Sequence, residues 1–269
     1  MIAYVGAKKV QSKWIGSYIP IDIKTYVEPF SGMFWAYLMN PGLAHCSTIV
    51  YNDFNKFNVN IWTCVHQDTS KFIESLKPFK HNDKEVLKVL KKKYLKGVVE
   101  FEVPDFQVAA EYAYILMYSF SGDISGGVVN KKNDCIAGLI KKITNEKMSR
   151  QIHNITHILN DDCVNIIKQF DSPESLLYVD PPYWKTENLY GFHDFGRDDH
   201  YRLADVLKNC KSRWILSYYD FPELEEIYPS DKYIYTRKEY TKSSSDQRGH
   251  KPKAIEVLIM NYENKRWFE

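Results

Sequence analysis

The sequence predicts an α/β fold with a largely parallel sheet, interrupted by a mainly helical insertion. Three observations carry that prediction. Short β-rich runs alternate with longer polar or amphipathic stretches. Residues 59–150 read as successive helical segments with no clear strand between them. Beyond them the alternation of strand and helix resumes, so the helices interrupt one sheet and do not follow it.

In chain order, "TYV" (25–27) and "STIVY" (47–51) are the first short strands. "KFIESLKPF", "KEVLKVLKKKYLKG" and "VAAEYAYILMYSF" are the helical segments of the insertion. "SLLYV" (175–179) restores the strand pattern. "DDHYRLADVLKNC" (198–210) is helical, with Leu203, Val206 and Leu207 on one face. "WILSYY" (214–219) and "AIEVLIMNY" near the end are further strands. The expected division is a sheet domain built from 1–58 and 151–269, with 59–150 inserted.

Composition narrows the function classes. A chain of 269 residues, 44% hydrophobic, buries one large core. The formal net charge is only +2, so any nucleic-acid affinity must arise from local basic clusters. No apolar run approaches the ~18 residues of a membrane span, and no signal peptide is visible, which points to the cytoplasm. The cysteines Cys46, Cys64, Cys135, Cys163 and Cys210 are scattered without a CxxC pair. They read as reduced packing residues, with no metal site among them.

The stretch "YVDPPYW" (178–184) carries the chemistry. In open α/β sheets, ligands gather at the carboxyl ends of strands. Asp180 follows "SLLYV" directly and is expected in such a crevice. Pro181 and Pro182 fix their own φ and lack N–H donors, giving a rigid turn with directed carbonyls. Tyr183 adds an aromatic face. An acid, a rigid carbonyl and a ring suit the holding of a planar base with an exocyclic amine.

Five stretches together resemble a known family. "DPPY" is similar to motif IV of the amino-methyltransferases. "YVGAKKVQSKWIGSYIP", "YVEPFSGMFW", "VYNDFN" and "ILNDDCVNII" resemble, in order, further motifs of the Dam-like (D12 class) DNA adenine-N6 methyltransferases. The resemblance covers about 1–58 and 150–262. It implies a Rossmann-like S-adenosylmethionine-dependent methyltransferase sheet, with the insertion as a DNA target-recognition domain. It further implies a bacterial or phage enzyme that methylates N6 of an adenine flipped out of DNA, with no obligate protein partner evident. Cytosine-N4 or RNA-adenine methylation, and a catalytically weak DNA-binding relative, are the alternatives.

Each expected site has a physical reading beside the resemblance. Phe30, Ser31 and Gly32 supply the turn after Glu28 that a nucleoside ligand approaches. Asp53 closes the second strand, where an acid meets ribose hydroxyls in dinucleotide folds. Tyr4 and Lys8 match the family's cofactor-contacting pair. Asp162, or its neighbour Asp161, is placed to accept from the cofactor's adenine amine. Asp180 serves both cofactor and catalysis. Met33 and Phe34 stand where the family often has glycines, so bulky side chains are expected to crowd that loop. The basic stretch 238–253 is expected to be a loop between strands, with Lys242, Arg248 and Lys251 on DNA phosphates. Phe120-Ser121-Gly122 stands where the family carries a recognition Phe-Asn-Gly, so the target sequence is not assumed.

Overall fold

In the computed structural model, the described residues are 2, 4, 6, 8–79, 82–129, 133–184, 195–241 and 253–263. The chain opens with α1 (Ser12–Ser17), β1 (Thr25–Glu28), α2 (Trp35–Leu38) and β2 (Thr48–Asn52). Then come α3 (Lys56–Gln67), α4 (Thr69–Leu76), α5 (Lys84–Leu95), α6 (Phe106–Tyr118), α7 (Cys135–Ile143) and α8 (Glu146–His153). After them the sheet resumes: β3 (His157–Leu159), α9 (Cys163–Gln169), β4 (Ser175–Val179), α10 (Arg197–Asn209) and β5 (Arg213–Tyr219). The chain closes with α11 (Leu224–Ile227), β6 (Ile234–Thr241) and β7 (Lys253–Met260).

Among the described residues, seven strands form one sheet in the order β3-β2-β1-β4-β5-β7-β6. β3, β2, β1, β4 and β5 are parallel. β7 runs antiparallel to both β5 and β6. This is the mainly parallel sheet that the sequence predicts, with an antiparallel strand added at one side. Strand direction of travel reverses between β1 and β4, which leaves a crevice outside their carboxyl ends. Glu28 ends β1 and Asp180 follows β4, so both acids arrive there.

Side chains alternate across the strands and supply two cores. Tyr26, Ile49, Tyr51, Leu176, Tyr178 and Ile215 pack on one face with Val59, Phe72, Leu87, Tyr112, Leu139 and Ile152 from the helices between β2 and β3. Val27, Val50, Leu177, Val179 and Leu216 face the other side, against Ile166, Leu203 and Leu224 of α9, α10 and α11. The inserted helices therefore share a continuous core with one face of the sheet. α6 is at their centre, buried from Val108 to Tyr118. A helix enclosed all round needs no amphipathic stripe.

α6 also sets the height of the insertion above the sheet. Its start is tied to the second turn of α3, where the Asp105 N–H donates to Asn60 Oδ1 at 2.8 Å and Asn60 Nδ2 donates back at 2.7 Å. Two turns later, Tyr112 Oη accepts from Asn55 Nδ2 at 3.1 Å, at the start of α3. α6 thus runs opposite to α3, and its last turns rise beyond the carboxyl edge of the sheet. α5 runs back along α6: Asp83 N–H donates to Tyr114 Oη at 2.9 Å, and Tyr94 Oη donates to Glu111 at 3.0 Å.

Two strands escape the sequence reading, and both are sheet edges. β3 has three residues, none fully buried. β6 has no fully buried residue and carries Arg237, Lys238 and Glu239. It takes in 238–241, which the sequence placed in a loop. Edge strands stay short or charged because they must not pair with other chains, so they lack the apolar alternation that marks inner strands. Among the described residues, no helix is long and apolar enough to cross a membrane.

Candidate active site

The loop after β1 is held by hydrogen bonds to its backbone. Ser31 N–H donates to the Asn52 carbonyl at 2.8 Å. Gly32 N–H donates to Asp53 Oδ2 at 2.7 Å, and the Gly32 carbonyl accepts from Tyr51 Oη at 2.9 Å and Trp62 Nε1 at 3.3 Å. Asp53 Oδ1 accepts from Asn55 N–H at 2.8 Å. Gly32 has φ +49°, and a Cβ there would lie 3.2 Å from the Tyr4 ring. The glycine is needed both for its backbone and for the approach of Tyr4.

Phe34 does not crowd this loop as expected. It adopts φ 55°, the left-handed conformation a glycine would favour. Its ring turns into the core, 4.7 Å from Tyr37 and 5.3 Å from Tyr51 between centroids. Met33 alone of the two reaches the cavity wall. Glu28 is buried, accepting from Tyr26 Oη at 2.7 Å and Tyr37 N–H at 2.9 Å. Burial raises its affinity for a proton well above the ordinary carboxyl value, against those two hydrogen bonds.

The turn after β4 is held by charged side chains. Asp180 Oδ1 lies 2.9 Å from Lys8 Nζ, which lies 3.4 Å from Glu256 Oε1. Tyr183 Oη donates to the same Glu256 oxygen, and Ser217 Oγ donates to it at 2.6 Å. The Tyr183 ring is nearly closed to solvent, edge-on to Tyr219 at 4.4 Å, with Lys8 Nζ 4.6 Å from its centroid. Burial pushes the Asp180 carboxyl up to about 6, with Lys8 opposing and Glu256 reinforcing the shift. Burial likewise pushes Asp53 up to about 6, against hydrogen bonds from Asn55 and Gly32.

Between the two loops lies a cavity of about 310 Å³. Of the residues expected from sequence, Tyr4, Lys8, Glu28, Phe30, Gly32, Asp53, Asp162, Asp180 and Pro182 all line it. Pro181 and Tyr183 are buried and do not line it. Asp161 also lines it, so both members of the Asp161–Asp162 pair are present. Asp162 is engaged already: it caps α9 through Val164 N–H at 2.9 Å and takes a two-pronged contact from Arg202 at 2.8 Å on each oxygen. Partial burial works against its charge, but the Arg202 and Val164 hydrogen bonds hold it below the ordinary carboxyl value. Trp184 stacks on Phe221 at 5.0 Å, with Arg197 over its ring. Lys242, Arg248 and Lys251 lie outside the described residues.

Sequence reasoning missed Glu256, Ser217 and Arg202. Glu256 had a signal: it is the one charged residue inside the apolar run "AIEVLIM" (254–260), and a lone acid in a buried strand needs a partner. Arg202 had none, since an arginine on an amphipathic helix is ordinarily solvated.

A cavity at the strand reversal, walled by carboxylates and aromatic rings, fits a nucleoside ligand carrying positive charge. Comparison with known proteins identifies the family. The sequence profile of the D12 class N6 adenine-specific DNA methyltransferase family matches residues 4–242. The chain is 22% identical to the Type II methyltransferase M.CviBI of Paramecium bursaria Chlorella virus NC1A, over 97% of this chain and 99% of that one. It is 25% identical to M.MjaIII of Methanocaldococcus jannaschii, over 90% and 89%. With M.FokI of Planomicrobium okeanokoites it shares 23% identity over 97% of its own length, spanning 42% of that longer protein.

Proposed function

Because the chain belongs to the D12 class N6 adenine-specific DNA methyltransferase family, we propose that it methylates the N6 amine of an adenine flipped out of DNA. The observation that carries this reading is Asp180, half-buried in the cavity wall beside a two-proline turn at the strand reversal. Family membership implies S-adenosylmethionine as donor, and the residues present suit it. Asp53 and Asp180 give the cavity negative charge for a sulfonium, and Gly32 lets the Tyr4 ring close on the loop, where a Cβ would lie 3.2 Å from it. Asp53 and Gly32 would hold the ribose end, Tyr4 and Phe30 the apolar walls. When bound, the cofactor supplies an electrophilic methyl group.

The chain's own part is to make a poor nucleophile competent. An exocyclic amine is weak because its lone pair is delocalised into the ring. Asp180 and the Pro181 carbonyl accept its two N–H bonds, which favours a pyramidal nitrogen with its lone pair free. Binding of that kind matches the transition state better than the flat ground state. Lys8 pairs with the Asp180 oxygen and favours its ionised form against the effect of burial. As the amine docks, Lys8 shifts toward Glu256, which already shares it. Taking the base out of the stack gives the site access to its amine.

A tritiated-methyl assay with duplex DNA, matched RNA and adenine-free DNA tests the reading. Label recovered as N6-methyladenine from DNA supports it. Label in RNA, or on cytosine N4, would transfer the same chemistry to another substrate and refute it.

A further inference from the structure

The cavity leaves one concentration of charge unused. The segment 84–96, "KEVLKVLKKKYLK", holds six lysines against one glutamate, a balance of +5 in a chain whose total is only +2. The rest of the molecule is therefore net negative. Lys84, Lys88, Lys92 and Lys96 recur every four residues, which places them on one face of α5 at a rise of ~6 Å. All four are exposed, while Leu87, Leu90 and Tyr94 hold the opposite face against α6.

This face borders a shallow groove. Its walls are Lys88, Lys91, Lys92 and Lys96 on one side and Gly126 to Val128 on the other. Lys91 is itself buried, and its ammonium donates to the Gly126 carbonyl, tying the loop to the helix. Gly126 has no room for a side chain, since a Cβ would lie 2.8 Å from the Phe120 carbonyl; at Gly127 a Cβ would meet nothing, so the groove is open there. The loop is closed further by Phe120 N–H to the Gly127 carbonyl at 2.8 Å and by Val129 N–H to the Tyr118 carbonyl at 2.9 Å. The groove is thus a built feature of the fold, formed between α5 and the loop that follows α6.

We propose that the α5 lysine face is a phosphate-binding track that holds the sugar–phosphate backbone of the substrate DNA. The proposal rests on the methyltransferase reading above for the identity of the polymer. Its own support is the match between a line of evenly spaced cations and a polyanion with regularly repeating charge. An acidic protein surface would meet one or two of these lysines; a nucleic-acid strand meets them in series. Lysine also suits contact without sequence information, as a point charge on a flexible stem.

The test replaces Lys88, Lys92 and Lys96 together with alanine, a triple variant that leaves Lys91 and the buried face untouched. A control variant replaces Lys141, Lys142 and Lys147 on and beside α7, removing the same charge from another exposed surface. Affinity for duplex DNA with and without the target site is measured by fluorescence anisotropy across a salt series. In the α5 variant, both duplexes should weaken by similar factors, and the salt slope should fall by about 0.9 per contact, up to roughly 2.7. Cofactor affinity and melting temperature should stay unchanged. An unchanged slope while the wild type binds DNA overturns the track, as does an equal fall in the control variant. A wild-type protein that binds no DNA at all overturns the track and the DNA-methyltransferase reading together, whereas a wild type that methylates DNA with the slope unaffected by the triple change overturns the track alone.

Discussion

Across the crevice, the loop that leaves β1 and the turn that leaves β4 are held in place by opposite means. After β1, Ser31, Gly32 and their neighbours are fixed through backbone N–H and C=O groups reaching Asn52, Asp53, Tyr51 and Trp62. After β4, the backbone gives up two donors to proline, and the turn is secured by Lys8, Glu256, Tyr183 and Ser217. Bonds made by the loop's own backbone survive changes in the loop's own side chains, with Asp53, Tyr51 and Trp62 as their side-chain partners; a web of ionisable groups has no such tolerance. The cofactor side is therefore the robust half of the site and the acceptor side the sensitive half.

The largest expected effect lies in the sensitive half. Asp180→Asn keeps the volume but removes the charge, and should cost about 10²–10³ in kcat, the usual range for one preorganised electrostatic contact. DNA affinity should change little, and cofactor affinity should fall by less than kcat, because Asp180 also supplies charge for the sulfonium. Single-turnover transfer measured beside a cofactor titration checks both. Near-normal kcat would place the acceptor site elsewhere and dissolve the contrast.

Asp53→Ala probes the robust half. It removes one charge-assisted hydrogen bond to the ligand, worth about 1.5–3 kcal/mol. It also frees the Gly32 N–H, which Asp53 now receives at 2.7 Å. The cofactor KM should rise about 10- to 100-fold with kcat within a few-fold. A loss concentrated in kcat would mean that the loop's position, and not ribose contact, is what Asp53 supplies.

How far sequence alone reached divides along the same line. The inner strands were legible because their residues are buried on both faces, and "SLLYV" coincides with β4 end to end. Asp53 and Asp180 were legible because each follows such a strand. The edge strands β3 and β6 were not, since exposure removes the pattern. Glu256 comes from β7, 76 positions after Asp180 in the numbering, and meets Lys8 through an antiparallel strand that no local motif announces. Phe34 was misread for a related reason. Its φ is glycine-like, but which way a ring points from that backbone depends on Tyr37, Tyr51 and Trp62, three elements away from any spacing rule.

Acid titration separates the halves in one experiment. Burial raises the Asp180 and Asp53 carboxyls to about 6. Below that, Asp180 is protonated and one acceptor for the amine is lost, so kcat/KM for DNA should fall about tenfold per pH unit. Cofactor capture also needs Asp53, so kcat/KM for the cofactor should fall with a limiting slope near two. Stability moves the other way. Folded-state values raised above the ordinary carboxyl mean that the folded protein binds the extra proton more tightly than the unfolded chain. The contribution of these two groups is then most favourable below about pH 4 and is lost as pH rises through 6. Asp180→Asn should flatten part of that melting profile. A profile that it leaves unaltered would show that Asp180 titrates normally and that its burial is relieved in solution.

The smallest effect on the site is expected at Phe34. Replacing it with glycine relieves a left-handed backbone strain of about 1–3 kcal/mol and loses ring burial worth more, about 3–5 kcal/mol for phenylalanine truncation. The protein should therefore melt earlier, by a net loss of roughly 1–3 kcal/mol. Yet the ring faces Tyr37 and Tyr51 and stays out of the cavity wall, while the bonds to Gly32 come from Asp53, Tyr51 and Trp62. Those bonds survive the substitution, so cofactor affinity measured by calorimetry, well below the new melting temperature, should change less than twofold. A tenfold change in either direction would mean that the loop takes its shape from the ring at 34. The cofactor half would then depend on side chains as much as the acceptor half does.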